Sequence, residues 1–174
     1  RDVAPSRGLG DVYKRQPQNL ETSSINSPAF NTFIAAQINL NCNSMLMNGI
    51  KIYDLVTISG DVHHIFPRAY LKNNGVTNKT KYNQVANYIY LDTQVNKAIS
   101  DDSPTVYFTK AKRQCKTKEI ELGNISDESL LLSNLSENCI PNGIDKMDVS
   151  SYDNFLSERR KLMAALIERY YKGL

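Results

Sequence analysis

The sequence predicts an α+β fold, mostly helical, in which a small hairpin and one helix sit among packed flanking helices. Three observations predict it. Phe155, Leu156, Met163, Leu166, Ile167 and Tyr170 form an apolar stripe at helical spacing near the C-terminus. Ser27-Pro28 and Ser103-Pro104 each join an N-cap residue to a proline suited to the first helical position. Strand-forming character is confined to short stretches, the clearest being YIYL at 88–91.

Residues 17–26 are polar and loop-like, and the first Ser-Pro pair then opens a buried helix over 28–40. Phe30, Phe33, Ile34 and Ile38 fall on one face of it. A turn is expected at Asn48-Gly49, followed by residues 50–58, which are rich in strand formers though irregular, and by a second turn at Ser59-Gly60. Residues 61–66 read as short and extended, stopped by Pro67. Arg68 to Lys72 can make a helical turn that Asn73-Asn74-Gly75 ends. After the 88–91 strand, Asp92 and Thr93 are good N-caps for a helix over 94–100. The second Ser-Pro pair starts another short helix running to about Arg113. Residues 114–150 are mixed, include the apolar patch Leu130-Leu131-Leu132, and give no clear element. A helix over 153–172 is clear, and Gly173 closes it.

Composition bounds the function. The 174 residues are 41% hydrophobic and 22% charged, enough to bury a core and unlike a disordered chain. Mean hydropathy is −0.43, and no apolar run reaches bilayer length, so a membrane span is not expected. The three cysteines, Cys42, Cys115 and Cys139, are an odd count without CxxC spacing. That pattern argues against a disulfide framework or a structural zinc site and fits a reducing, cytoplasmic setting. Residues 1–16 show no apolar periodicity, and the run DVYKRQ resembles the translation of a transposase mosaic-end sequencing adapter. The expectation is that this segment is an artefact to be set aside, that the true N-terminus is missing, and that 17–174 is the tail of a longer protein. The segment holds Arg1, Arg7, Lys14 and Arg15 against Asp2 and Asp11, so the rest carries 17 basic and 16 acidic residues. Global basicity is therefore no argument for a nucleic-acid partner.

Chemistry concentrates at the two histidines, His63 and His64, which are adjacent. Neighbours on an ideal strand point to opposite faces. Either one packs while the other is exposed, or the strand ends there and both approach one site. Pro67 favours the second arrangement, although the pair alone favours the first. Asn83, Asn87 and Asn96 lie downstream, and eighteen of the 174 residues are Asn, so their spacing alone means little. Their order is more telling: a strand with the histidine pair, a connection, Asn87, a strand, then Asn96 on a helix. That order would bring a hairpin and a helix around a single metal ion.

The run DVHHIFPRAYLKNNG, followed by KYNQVANYIYLDTQVNKAISDDSP, resembles the HNH (ββα-metal) nuclease motif. The version it resembles is found at the C-terminus of GmrSD-type modification-dependent restriction proteins. The matching residues are His63 to Pro67 with Arg68, Tyr82-Asn83, Ala86-Asn87, Asn96-Lys97, Ile99-Ser100 and Pro104. The SPAF helix upstream and the FLSERR…LIE helix downstream also resemble the family's flanking helices, so the likeness spans about 27–172. It implies a ββα-metal core with flanking helices, and roles for named residues. His63 takes the place of a metal ligand on the first strand, His64 that of the general base, Asn87 that of the Asn bracing the hairpin and orienting the base, and Asn96 that of a second metal ligand. Arg68, Lys72 and Lys97 are candidate phosphate contacts, or a solvated basic face. Asp61 and Ser100 are weaker candidates for the metal's surroundings.

The resemblance implies a metal-dependent DNA endonuclease, the nuclease part of an anti-phage restriction protein acting on DNA, including modified phage DNA. The family's N-terminal ParB-like NTPase domain has no counterpart here, since no Gly-rich phosphate loop is present. One imidazole and one amide oxygen suit Mg²⁺ or Mn²⁺ better than a closed zinc site. The alternative is a non-catalytic nucleic-acid-binding or scaffold domain that keeps the HNH shape. A zinc module built with the widely spaced cysteines carries little weight.

Overall fold

In the computed structural model, residues 16–58 and 62–173 are described, Gln16 by its backbone alone. The expectations for residues 1–15, the Ser59-Gly60 turn and Asp61 lie outside them. A single turn, α1 (Gln16–Asn19), leads to α2 (Pro28–Asn39). Ser27 caps α2 as its sequence indicates, its Oγ accepting from the Phe30 amide at 3.3 Å. Phe30, Phe33 and Ile34 are buried, with Ile38 packed at the edge of the core.

Residues 50–58 correct an expectation. They form a helix, α3 (Ile52–Ile58), and extended pairing is limited to one antiparallel bridge between Asn43 and Lys51. Asp54 explains the change. Its carboxylate reaches back to the Lys51 amide at 3.3 Å, the return half of a capping box, and starts the helix despite its β-branched residues.

The sheet has two strands. β1 (Val62–His64) runs antiparallel to β2 (Tyr88–Tyr90), pairing Val62 with Tyr90, His63 with Ile89 and His64 with Tyr88. Between them come α4 (Arg68–Asn73), α5 (Lys79–Tyr82) and a 3₁₀ turn (Val85–Asn87). α6 (Thr93–Ile99) follows the hairpin, capped by Asp92, whose Oδ1 accepts from the Gln94 and Val95 amides at 2.9 and 3.2 Å. The described residues are thus mostly helical, with one small two-stranded sheet among them.

The C-terminal half packs around this unit. α7 (Pro104–Thr117) extends one turn beyond the expected Arg113, to a left-handed Lys118 at φ 64°. Within the mixed region lies α8 (Glu128–Glu137), then 3₁₀ turns at Ile144–Lys146 and Val149–Ser151. The Leu130-Leu131-Leu132 patch divides: Leu131 is buried, while Leu130 and Leu132 are exposed. α9 (Tyr152–Lys172) lays Phe155, Leu156, Met163, Leu166 and Ile167 into the core against α1, α2 and the 85–87 turn. No helix among the described residues is long and apolar enough to cross a membrane.

Candidate functional site

An open cleft of about 330 Å³ runs between the hairpin, the start of α4 and the end of α6. Its wall includes His63, His64, Arg68, Asn96 and Ser100. The two histidines line one cleft, and both are half-buried. β1 ends at His64 and the chain bends through Ile65 and Phe66 into Pro67, so strict alternation stops where the second histidine begins to matter.

Asn87 does not line the cleft; it holds the chain that forms it. Fully buried, its Oδ1 accepts from the Phe66 amide at 2.8 Å. Its Nδ2 donates to the Phe66 and Tyr82 carbonyls at 3.1 and 3.3 Å. The Asn87 carbonyl also accepts from the Ile65 amide at 2.9 Å. One carboxamide thereby fixes the backbone that leaves His64. Tyr107 adds a bond from its Oη to the Ile65 carbonyl at 2.7 Å. The Asn87 side chain makes its hydrogen bonds to Phe66 and Tyr82 and none to the His64 ring.

The residue that bonds to the ring is Asn83, to which the sequence attached no role. His64 Nε2 lies 3.0 Å from Asn83 Oδ1. The ring also meets Tyr88 edge-on, with centroids 5.2 Å apart and planes at 89°. Burial lowers the His64 pKa below its ordinary 6.5; the Asn83 bond opposes this, and the charges of Arg68 and His63 add to the lowering. The lowering favours the neutral imidazole, the form that can accept a proton. A signal for Asn83 existed in the sequence, since it stands in the YN-x-x-AN run, but nothing local shows that its side chain reaches back nineteen residues.

Donors in the cleft suit an oxygen-loving divalent ion. His63 offers an imidazole, Asn96 a carboxamide oxygen and Ser100 a hydroxyl, leaving further positions to water or phosphate. Among the described residues no group of three or more His, Cys, Asp or Glu side chains could hold a metal. The cysteines are buried, none lines the cleft, and burial pushes Cys42 up to about 11 and Cys139 to about 12. Protonated thiols are poor zinc ligands. Ser100 also holds an unusual backbone, φ 50° and ψ −114°, a strained conformation for a residue with a β-carbon.

Of the three basic candidates, Arg68 reaches the cleft. Lys72 and Lys97 are exposed outside its wall, and Lys72 lies over the Tyr82 ring, 5.4 Å from its centroid. A larger hollow of about 520 Å³, between α8, the 140–147 segment and α9, contains none of the candidate residues. Neither family models nor curated proteins nor solved structures give a match to this chain.

Proposed function

We propose that this cleft is the active site of an HNH endonuclease that hydrolyses DNA phosphodiester bonds with one divalent metal ion. The single observation that carries the reading is convergence: His63, His64, Arg68 and Asn96, from three separate elements, line one open cleft. His64 is the general base, taking a proton from the attacking water in its neutral form. Arg68 binds the phosphate through its guanidinium and offsets charge on the non-bridging oxygens. Asn87 keeps the bend after β1 in place so that His64 is presented to the cleft. His63 and Asn96 would hold Mg²⁺ or Mn²⁺, which when bound stabilises developing negative charge as a Lewis acid. In the GmrSD-type reading this is the cytoplasmic nuclease half of a restriction protein, and a ParB-like NTPase domain chooses the DNA.

Plasmid nicking by the purified protein with Mg²⁺, Mn²⁺ or EDTA tests the proposal. Cutting should need the metal and fall by about 10²–10⁴-fold in His64→Ala, the typical worth of a general base. Folded, metal-supplied protein that still fails to cut when joined to its NTPase partner would favour the non-catalytic binding reading.

A further inference from the structure

The contact between Asn83 and His64 determines more than the ring's position. An amide oxygen can only accept a hydrogen bond, so at 3.0 Å the His64 Nε2 must be the donor. A neutral imidazole carries a single N–H, which leaves the lone pair on Nδ1. The backbone that carries this acceptor is held in place. The Asn83 amide donates to the Lys79 carbonyl at 3.0 Å. The preceding Tyr82 carbonyl receives both Asn87 Nδ2 and Tyr152 Oη at 3.3 Å. Gln84 Oε1 accepts from Arg160 Nη2 at 2.9 Å. Asn87 and Tyr152 thus hold the carbonyl before Asn83 and Arg160 the side chain after it, while strand pairing holds His64 opposite Tyr88.

We propose that Asn83 is a positioning residue, whose Oδ1 locks His64 in the tautomer with its proton on Nε2 and so reserves Nδ1 to take a proton. Its functional meaning rests on the base role given to His64 above; the tautomer does not. Asn83 acts on the ring and need not touch DNA or metal.

Nitrogen NMR of the metal-free, histidine-labelled full chain reads the tautomer directly. At about pH 8 an imidazole of ordinary pKa, about 6.5, is neutral, and His63→Gln identifies which signals belong to His64. The proton should sit on Nε2 in the wild type, spread over both nitrogens in Asn83→Leu, and return to Nε2 in Asn83→Asp, which keeps an acceptor oxygen. A wild-type proton on Nδ1, or a folded Asn83→Leu variant with its tautomer unchanged, would overturn the proposal. The wild-type spectrum decides without depending on the folding of any variant at position 83. No nucleic acid enters the measurement, so absent plasmid cutting by the wild type would count against the nuclease reading alone.

Discussion

His64 sits beside a charged neighbour, an aromatic edge and an amide, and burial is the strongest of these influences on its proton. Because its folded pKa lies below 6.5, the unfolded chain takes up the proton first as pH falls. The associated stability is fully present above about 6.5 and is lost as the pH drops from there towards the lower folded value. Urea unfolding should therefore show a decline as the pH falls below about 6.5 that is smaller in His64→Gln, which does not titrate. Equal declines would show that His64 is not the group responsible. The many Asn residues, uninformative by spacing, separate once burial is known. Asn87 and Asn134 are buried staples: Asn134 Oδ1 accepts from the Leu46 amide at 2.7 Å, and its Nδ2 donates to the Ser44 and Met47 carbonyls at 2.9 and 3.1 Å. Buried Gln114 does the same, binding the Leu122 and Ile125 carbonyls at 2.9 and 2.6 Å. A carboxamide both donates and accepts, so one side chain can satisfy a loop's orphan amide and carbonyl together. No local pattern marks which Asn does this.

Elements with local start signals were legible. Ser27, Asp92 and Ser103 cap where their residue types indicate, because capping involves only the next three amides. Asp92 matters most for the site, since α6 carries Asn96 and ends at Ser100 in the cleft wall. Asp92→Ala should cost roughly 1 kcal/mol by thermal unfolding, with Asp92→Asn retaining most of it. A full loss in Asp92→Asn as well would mean that charge at the helix start, rather than the cap bond, is the source. Two elements resisted reading for physical reasons. α3 has strand-like residues, and its single return bond from Asp54 to Lys51 is easily overlooked in a segment with only Ile52 fully buried. α8 buries Leu131 and Leu135 at helical spacing, but the exposed Leu130 and Leu132 beside them blur the stripe.

Across the whole molecule, Arg159 joins α9 to the hairpin and to the chain after α8. It is fully buried and faces no carboxylate among the described residues. Nη1 donates to the Ala86 and Tyr88 carbonyls at 2.9 and 2.7 Å, and Nη2 to the Asn138 carbonyl at 3.4 Å. Burial lowers its pKa to about 10, so it stays charged near neutrality. Arg159→Ala removes a large buried side chain and strips donors from three carbonyls, so urea unfolding should show a loss of at least about 3 kcal/mol. Arg159→Lys should recover only part, because a compact ammonium does not span separate carbonyls as a planar fork does. Full recovery would mean that charge alone, rather than the fork, joins the segments. The sequence by itself determined the mostly helical class, the strand at Tyr88–Tyr90, the capped helices, the C-terminal stripe and the residues worth watching, because spacing and capping act within a few positions along the chain. Only the tertiary structure decided that His63, His64, Arg68 and Asn96 share one cleft, that Asn83 meets His64, that residues 52–58 are helical, and that a buried arginine joins α9 to the hairpin. Those outcomes depend on which distant groups lose water together and find partners, and burial on that scale is a property of the folded chain rather than of any local stretch.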